Sequence, residues 1–203
     1  MTTTTLLDRD SFEAAVTALP DEVPVALALT DIDEFAPLNE SLGHAAGDAV
    51  LRSFERTLTG SVPGGALVGR VSGDGYAVAL PGTSAESALI LLEEIRAHFG
   101  SREPAPEVPR LVQVSVGIAA RPQHARTYPE LIRAADEALF RAKREGRDRV
   151  AIYVEDRMTL KSNYYPKASL EQLSKLSAKS GRTEASLLRE ALDDLVAKYA
   201  GEL

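Results

Sequence analysis

Gly69-Arg70-Val71-Ser72-Gly73-Asp74-Gly75-Tyr76 joins two short apolar runs, 66–71 and 76–80, that have the composition of strands. The link Ser72-Gly73-Asp74-Gly75 holds two glycines that tolerate positive φ, so the stretch predicts a β-hairpin. Upstream of it, 8–19 has apolar residues at helical spacing and stops at Pro20, 23–32 reads as a buried strand, and 34–42 and 45–58 read as helices. Downstream, 84–99 is amphipathic and 101–109 is a proline-rich loop. The strand 111–119, the helix 128–144 and the strand 149–154 follow. The order βααββαβαβ predicts an α/β domain, a mixed sheet flanked by helices on its faces.

The chain has 203 residues, 44% of them apolar, enough for one well-buried core and a smaller companion. It has no cysteine, which excludes disulfides and thiolate metal sites. No apolar run approaches the roughly 18 residues of a membrane helix, and MTTTTLLDRD lacks a basic-then-apolar leader, so the expectation is a cytoplasmic protein with no membrane partner. The net charge of −7 argues against wholesale coating of nucleic acid. It is unevenly spread: 157–203 carries eight Lys/Arg against six Asp/Glu, leaving about −9 for the rest. The expected division is 1–156 and 157–203.

Four stretches carry chemistry. Thr30-Asp31-Ile32-Asp33-Glu34-Phe35 closes the first long strand, where open α/β sheets place ligands, and its carboxylates suit Mg²⁺ as well as a solvated helix start. Asn39 and Gly43-His44-Ala45-Ala46-Gly47-Asp48 put an amide and a carboxylate on adjacent helices, able to converge on a guanine edge. The hairpin link supplies Asp74. In 134–147, Lys143 and Arg147 are four apart, which predicts one helix face able to clamp a triphosphate; the alternative is two cations neutralising a helix end ahead of Gly146.

In this order and spacing, D-I-D-x-F, Asn39, G-H-x-x-G-D, G-R-V-S-G-D-G-Y, V-S-V-G-I-A and A-A-D-E-A-L-F-R-A-K-R-E-G-R-D-R-V resemble the GGDEF domain of diguanylate cyclases over about 150 residues. The resemblance implies the palm-like sheet of nucleotidyl cyclases. It also implies Asp31, the Ile32 carbonyl and Asp74 as Mg²⁺ ligands, Asn39 and Asp48 as guanine contacts, and Lys143 and Arg147 as phosphate contacts. The signature itself departs: Ser72-Gly73-Asp74-Gly75-Tyr76 stands in its place, with Gly75 for the catalytic glutamate and Ala36 where the family carries a phosphate-binding lysine. Pro63-Gly64-Gly65-Ala66 occupies the position of the RxxD motif, which argues against cyclic di-GMP at the usual inhibitory site.

From Pro166 onward the chain resembles ribbon-helix-helix DNA-binding proteins over about 40 residues, with helices expected at 168–180 and 183–199 and an extended segment at 160–165. In one strand register Lys161, Asn163 and Tyr165 face DNA; in the other Leu160, Ser162 and Tyr164 do. Arg182 and Thr183, at the start of the second helix, are placed for backbone phosphates. Leu187, Leu188, Ala191, Leu192, Leu195 and Tyr199 form a stripe too broad for two helices to bury, which predicts a homodimer. These readings combine into a DNA-binding regulator whose cyclase-like domain senses GTP with Mg²⁺ without catalysing the family reaction. The alternatives are an active diguanylate cyclase dimerised by its tail, and a protein-binding scaffold or antitoxin-like protein.

Overall fold

The computed structural model of the chain describes residues 4–154, 165–180 and 183–199. The chain divides into two compact units, Met1–Asp156 and Arg157–Leu203.

The first unit runs β1 (Leu6–Leu7), α1 (Arg9–Thr17), β2 (Val25–Ile32), α2 (Phe35–Leu42), α3 (His44–Ser61), β3 (Leu67–Arg70), β4 (Gly75–Pro81), α4 (Ala85–Gly100), β5 (Val114–Arg121), α5 (Tyr128–Arg144) and β6 (Val150–Ile152). Its mixed sheet has the order β1-β3-β4-β2-β5-β6. β2 lies at the centre, antiparallel to β4 and β5, while the outer pairs β1/β3 and β5/β6 are parallel. The near-continuous apolar run of β2 reflects that position, because both its faces are covered.

Side-chain alternation along the strands divides the core in two. Ala26, Ala28 and Ile32 meet Val50, Phe54, Leu58, Leu92 and Phe99 on the α2–α3–α4 face. Val25, Leu27 and Leu29 meet Phe12, Val16, Leu131, Ala135 and Leu139 on the α1–α5 face. Local chemistry sets the helix starts: the Asp8 carboxylate accepts from Ser11 N–H at 2.8 Å, and the Ser84 hydroxyl accepts from Ser87 N–H at 3.2 Å. Gly117 fixes the height of α5 over the sheet, since a Cβ there would lie 2.1 Å from Leu139 N and 2.2 Å from Ala135 O.

Two sequence expectations need correction. Neither Gly73 nor Gly75 adopts positive φ, so the hairpin link does not depend on left-handed glycines. The strand expected over 111–119 begins only at Val114 and runs on to Arg121. β1, two residues long, lacks any periodic signal and is defined by its pairing with β3.

The second unit consists, among the described residues, of α6 (Lys167–Ser180) and α7 (Glu184–Lys198). Leu170, Leu176, Leu188, Leu192, Leu195, Val196 and Tyr199 are exposed. Lys161, Asn163 and Arg182, expected to contact DNA, lie outside the described residues, as does nearly all of the extended segment; Tyr165 and Thr183 are exposed residues just ahead of the two helices. No helix among the described residues is long and apolar enough to cross a membrane.

Candidate functional site

The end of β2 carries Asp31, opposite Gly75 on β4 and Ser115 on β5. Its Oδ1 lies 2.6 Å from Lys143 Nζ, near the end of α5. Burial pushes the Asp31 carboxyl above its ordinary value; the Lys143 ammonium opposes that rise, and the nearby charges of Asp74 and Asp33 add to it. Asp31, Asp74 and the adjacent backbone therefore form a concentration of oxygen donors with one compensating cation. Asp74 is brought close by its own carbonyl, which accepts from Ile32 N–H at 3.4 Å. Hard oxygen donors with two carboxylates fit Mg²⁺, which completes its shell with water and phosphate oxygens.

The β3–β4 turn is closed by the N–H groups of Val71 and Ser72, both donating to Gly75 O at 3.0 and 3.2 Å. Arg70 folds back over it and donates to the carbonyls of Ser72 and Gly73. Glu55 of α3 lies 3.6 Å from the same guanidinium and accepts from the Tyr76 hydroxyl at 2.9 Å. Burial, then Glu55, pushes the Tyr76 phenol well above its ordinary range, so it stays a neutral donor. Gly75 is buried, and a Cβ there would meet the Ser72 hydroxyl at 2.3 Å. Beneath this turn, between α1 and α5, Asp31, Ser72 and Gly75 line a groove of about 460 Å³ with Arg9, Tyr128 and Asp136.

Asn39 and Asp48 stand on α2 and α3. A Cβ on Gly47 would lie 1.9 Å from Asn39 Oδ1, so the missing side chain is what admits the amide. That Oδ1 is buried and has no hydrogen-bond partner, while Asp48, next to Gly47 in the chain, is exposed. Ala36, in the first turn of α2, is exposed and brings no charge.

Lys143 and Arg147 do not share a helix face. α5 ends at Arg144, and Arg147 sits beyond it in a left-handed conformation, φ 62°. Lys143 turns to Asp31; Arg147 lines a separate cleft of about 210 Å³ with Asp33, Glu34, Leu38 and Arg110. Sequence reading missed Arg110, and it missed Ser115, whose hydroxyl donates to both Asp33 oxygens at 2.8 and 3.0 Å. Only the pairing of β2 with β5 brings Ser115 there, although its place on a buried strand between apolar residues marks it as a polar group in need of a partner.

The sequence pattern of the family described as diguanylate cyclase, GGDEF domain, matches residues 2–149. The chain belongs to the GGDEF family. Its GGDEF domain is 35% identical over 128 residues to the probable diguanylate cyclase DgcC of Escherichia coli (strain K12), a match that covers 62% of this chain and 34% of that protein. The chain thus spans about a third of the length of the curated relatives it matches. The structure is similar to the GGDEF domain of YfiN (TpbB) from Pseudomonas aeruginosa, with a TM-score of 0.70 and 32% identity over 75% of this chain and 99% of that one. It is also similar to the active GGEEF domain of a diguanylate cyclase from Vibrio cholerae, with a TM-score of 0.69 and 26% identity over 75% and 100% of the two chains.

Proposed function

We propose that this GGDEF domain binds GTP with Mg²⁺ and joins two GTP molecules into cyclic di-GMP slowly or not at all. The observation that carries the binding half is the buried, unpartnered Oδ1 of Asn39, seated in the space left by Gly47. An acceptor left unsatisfied in this way costs about 1–3 kcal/mol, and because the atom is closed to solvent the Asn39 amide would turn outward to meet a nucleobase N–H. Asn39 and Asp48 take the guanine; Asp31, the Ile32 carbonyl and Asp74 hold the Mg²⁺; Lys143 and Arg147 take phosphates. Lys143, now 2.6 Å from Asp31 Oδ1, would be released to phosphate if Mg²⁺ took its place beside that carboxylate.

The catalytic half follows from two missing groups. In the family reaction a 3′-hydroxyl loses its proton and attacks the α-phosphorus of the second GTP, releasing pyrophosphate. Bound Mg²⁺ neutralises phosphate charge in that step. Gly75 offers no carboxylate to the hydroxyl and Ala36 no cation to the phosphates, and losing one such group costs about 10² to 10³ in rate. Asp33 is no substitute for the carboxylate, because it is buried and already bonded to Ser115 and to Asp148 N–H.

The test is calorimetry of GTP with Mg²⁺ on wild type and Asp48→Ala, alongside chromatography of timed GTP incubations. Binding lost in the variant with little cyclic di-GMP is the expected result. Steady turnover would establish the second reading, a working cyclase, which the description of the relatives as diguanylate cyclases favours.

For the second unit we infer a dimerising, DNA-binding ribbon-helix-helix module. Its support is the pattern from Pro166 onward and the exposed apolar residues of α6 and α7. The nucleotide would regulate DNA binding only by preferring one conformation of the dimer. Sedimentation as a monomer, with no retardation of genomic DNA fragments at low salt, would remove this reading.

A further inference from the structure

The second carboxylate at the end of β2 has a role of its own. Asp33 is 8% exposed, and its N–H donates to Gln113 O at 2.9 Å. Its carboxylate accepts from the Ser115 hydroxyl and, on Oδ2, from Asp148 N–H at 3.0 Å. A buried carboxylate so fully bonded is a fixed point, because moving either partner strands its charge.

What it fixes is a strained turn. Gly146, Arg147 and Asp148 follow one another at φ 122°, 62° and 47°. Two non-glycine residues in that region each cost about 1–3 kcal/mol, so the turn persists only because its surroundings hold it. Arg147 N–H donates to Ala142 O at 3.1 Å, and Arg149 Nε donates to Arg147 O at 3.1 Å. The Asp148 carboxylate accepts from Gln113 Nε2 at 2.8 Å and pairs with Arg96. The backbone of Arg147 is thus tied on both sides, while no carboxylate among the described residues forms an ion pair with its guanidinium, and the residue lines the cleft it shares with Asp33 and Arg110.

We propose that Asp33 is a positioning residue: through Asp148 N–H and Ser115 it holds the left-handed 146–148 turn so that Arg147 is preset for the nucleotide's phosphates. This rests on the GTP reading above. Asp33 does not touch metal or phosphate; it acts through the backbone. A preset cation loses less side-chain freedom on binding and so contributes more affinity per contact.

The experiment measures binding of GTP with Mg²⁺ by calorimetry and of millimolar guanosine by saturation-transfer NMR, with melting curves as the control for folding. Asp33→Ala should weaken GTP roughly tenfold and leave guanosine unchanged. Asp33→Asn, whose amide oxygen can still accept from Asp148 N–H, should stay within about threefold of wild type. In a double-mutant cycle, Asp33→Ala should add nothing to the loss already caused by Arg147→Ala. If Asp33→Ala does not fold, Asp33→Ser, too short to reach Asp148, takes its place in the cycle.

Equal losses for GTP and guanosine, additive losses in the cycle, or an Asn variant as weak as the Ala variant would each overturn the positioning role. The last would mean that the charge of Asp33 acts directly on the ligand. Wild type that binds neither GTP nor guanosine would instead sink the nucleotide reading, and the positioning role with it.

Discussion

The two flanks of the candidate site are held in different ways. On the α5–β6 flank, the turn that carries Arg147 has its amides bonded to Ala142 and Asp33, and its Asp148 carboxylate bonded to Gln113 and Arg96. On the β3–β4 flank, the turn that carries Asp74 has Ser72 and Gly73 exposed and is closed by backbone bonds, from Val71 and Ser72 N–H to Gly75 O and from Ile32 N–H to Asp74 O, with Arg70, tied to Glu55 and through it to Tyr76, folded over it. The departures from the family signature, Ser72, Gly75 and Tyr76, all fall on this second flank. A turn closed by backbone bonds tolerates a change of side chain; a strained turn anchored to a buried carboxylate depends on that side chain.

The severest way to break the contrast is Gly117→Ala. A Cβ there collides with the backbone of α5, which cannot yield as a side-chain tip does, so the variant should lose about 3 kcal/mol or more and melt roughly 10 °C lower. A melting point within a degree of wild type would mean that α5 is not pinned to β5 as described. Next in size is Asn39→Ala. It should cut GTP affinity by roughly ten- to a hundredfold, while the free protein becomes no less stable because a buried unpaired acceptor is removed. Titration and melting of the same sample check both halves.

Tyr76→Phe sharpens the comparison on the looser flank. Loss of the bond to Glu55 should cost about 1 kcal/mol and speed amide exchange across 72–75 while leaving 146–148 unchanged. The smallest effect concerns acid. The Arg96 guanidinium is the main cause holding the Glu93 carboxyl below its ordinary value of 4.5. A depressed folded value means that this contribution is present above the ordinary value and is lost as pH falls through the folded one. Glu93→Gln should therefore lower the melting point slightly at neutral pH, and the difference from wild type should vanish in acid.

Much of the fold was legible in the sequence because strand and helix periods are local. The apolar runs of 23–32 and 76–80, the helical spacing of 8–19 ahead of Pro20 and the glycine at 146 each act within a few residues. The carboxylates at a strand end and the amide near Gly47 were equally visible, being chemical signals carried by residue type, whereas Arg110 and Ser115 were not. Nor were the partners of these groups. Strand periodicity would set Asp31 and Asp33 on one face, but β2 ends at Ile32 and Glu34 turns left-handed, so Asp31 goes to Lys143 and Asp33 to Ser115 and Asp148. Helical spacing would likewise join Lys143 to Arg147, but the helix stops between them.

The sequence by itself determined the order of elements from α1 to β6, the identity of the chemical groups and the absence of a carboxylate at position 75 and of a cation at position 36, because each is a property of a residue or its near neighbours. Only the tertiary structure decided which groups face each other, that the buried Asn39 Oδ1 is left without a partner and that Asp148 N–H is bonded to a carboxylate 115 positions away in the chain. Those contacts are made by strand pairing and by the way residues just past an element's end break its period, and neither is written in local pattern.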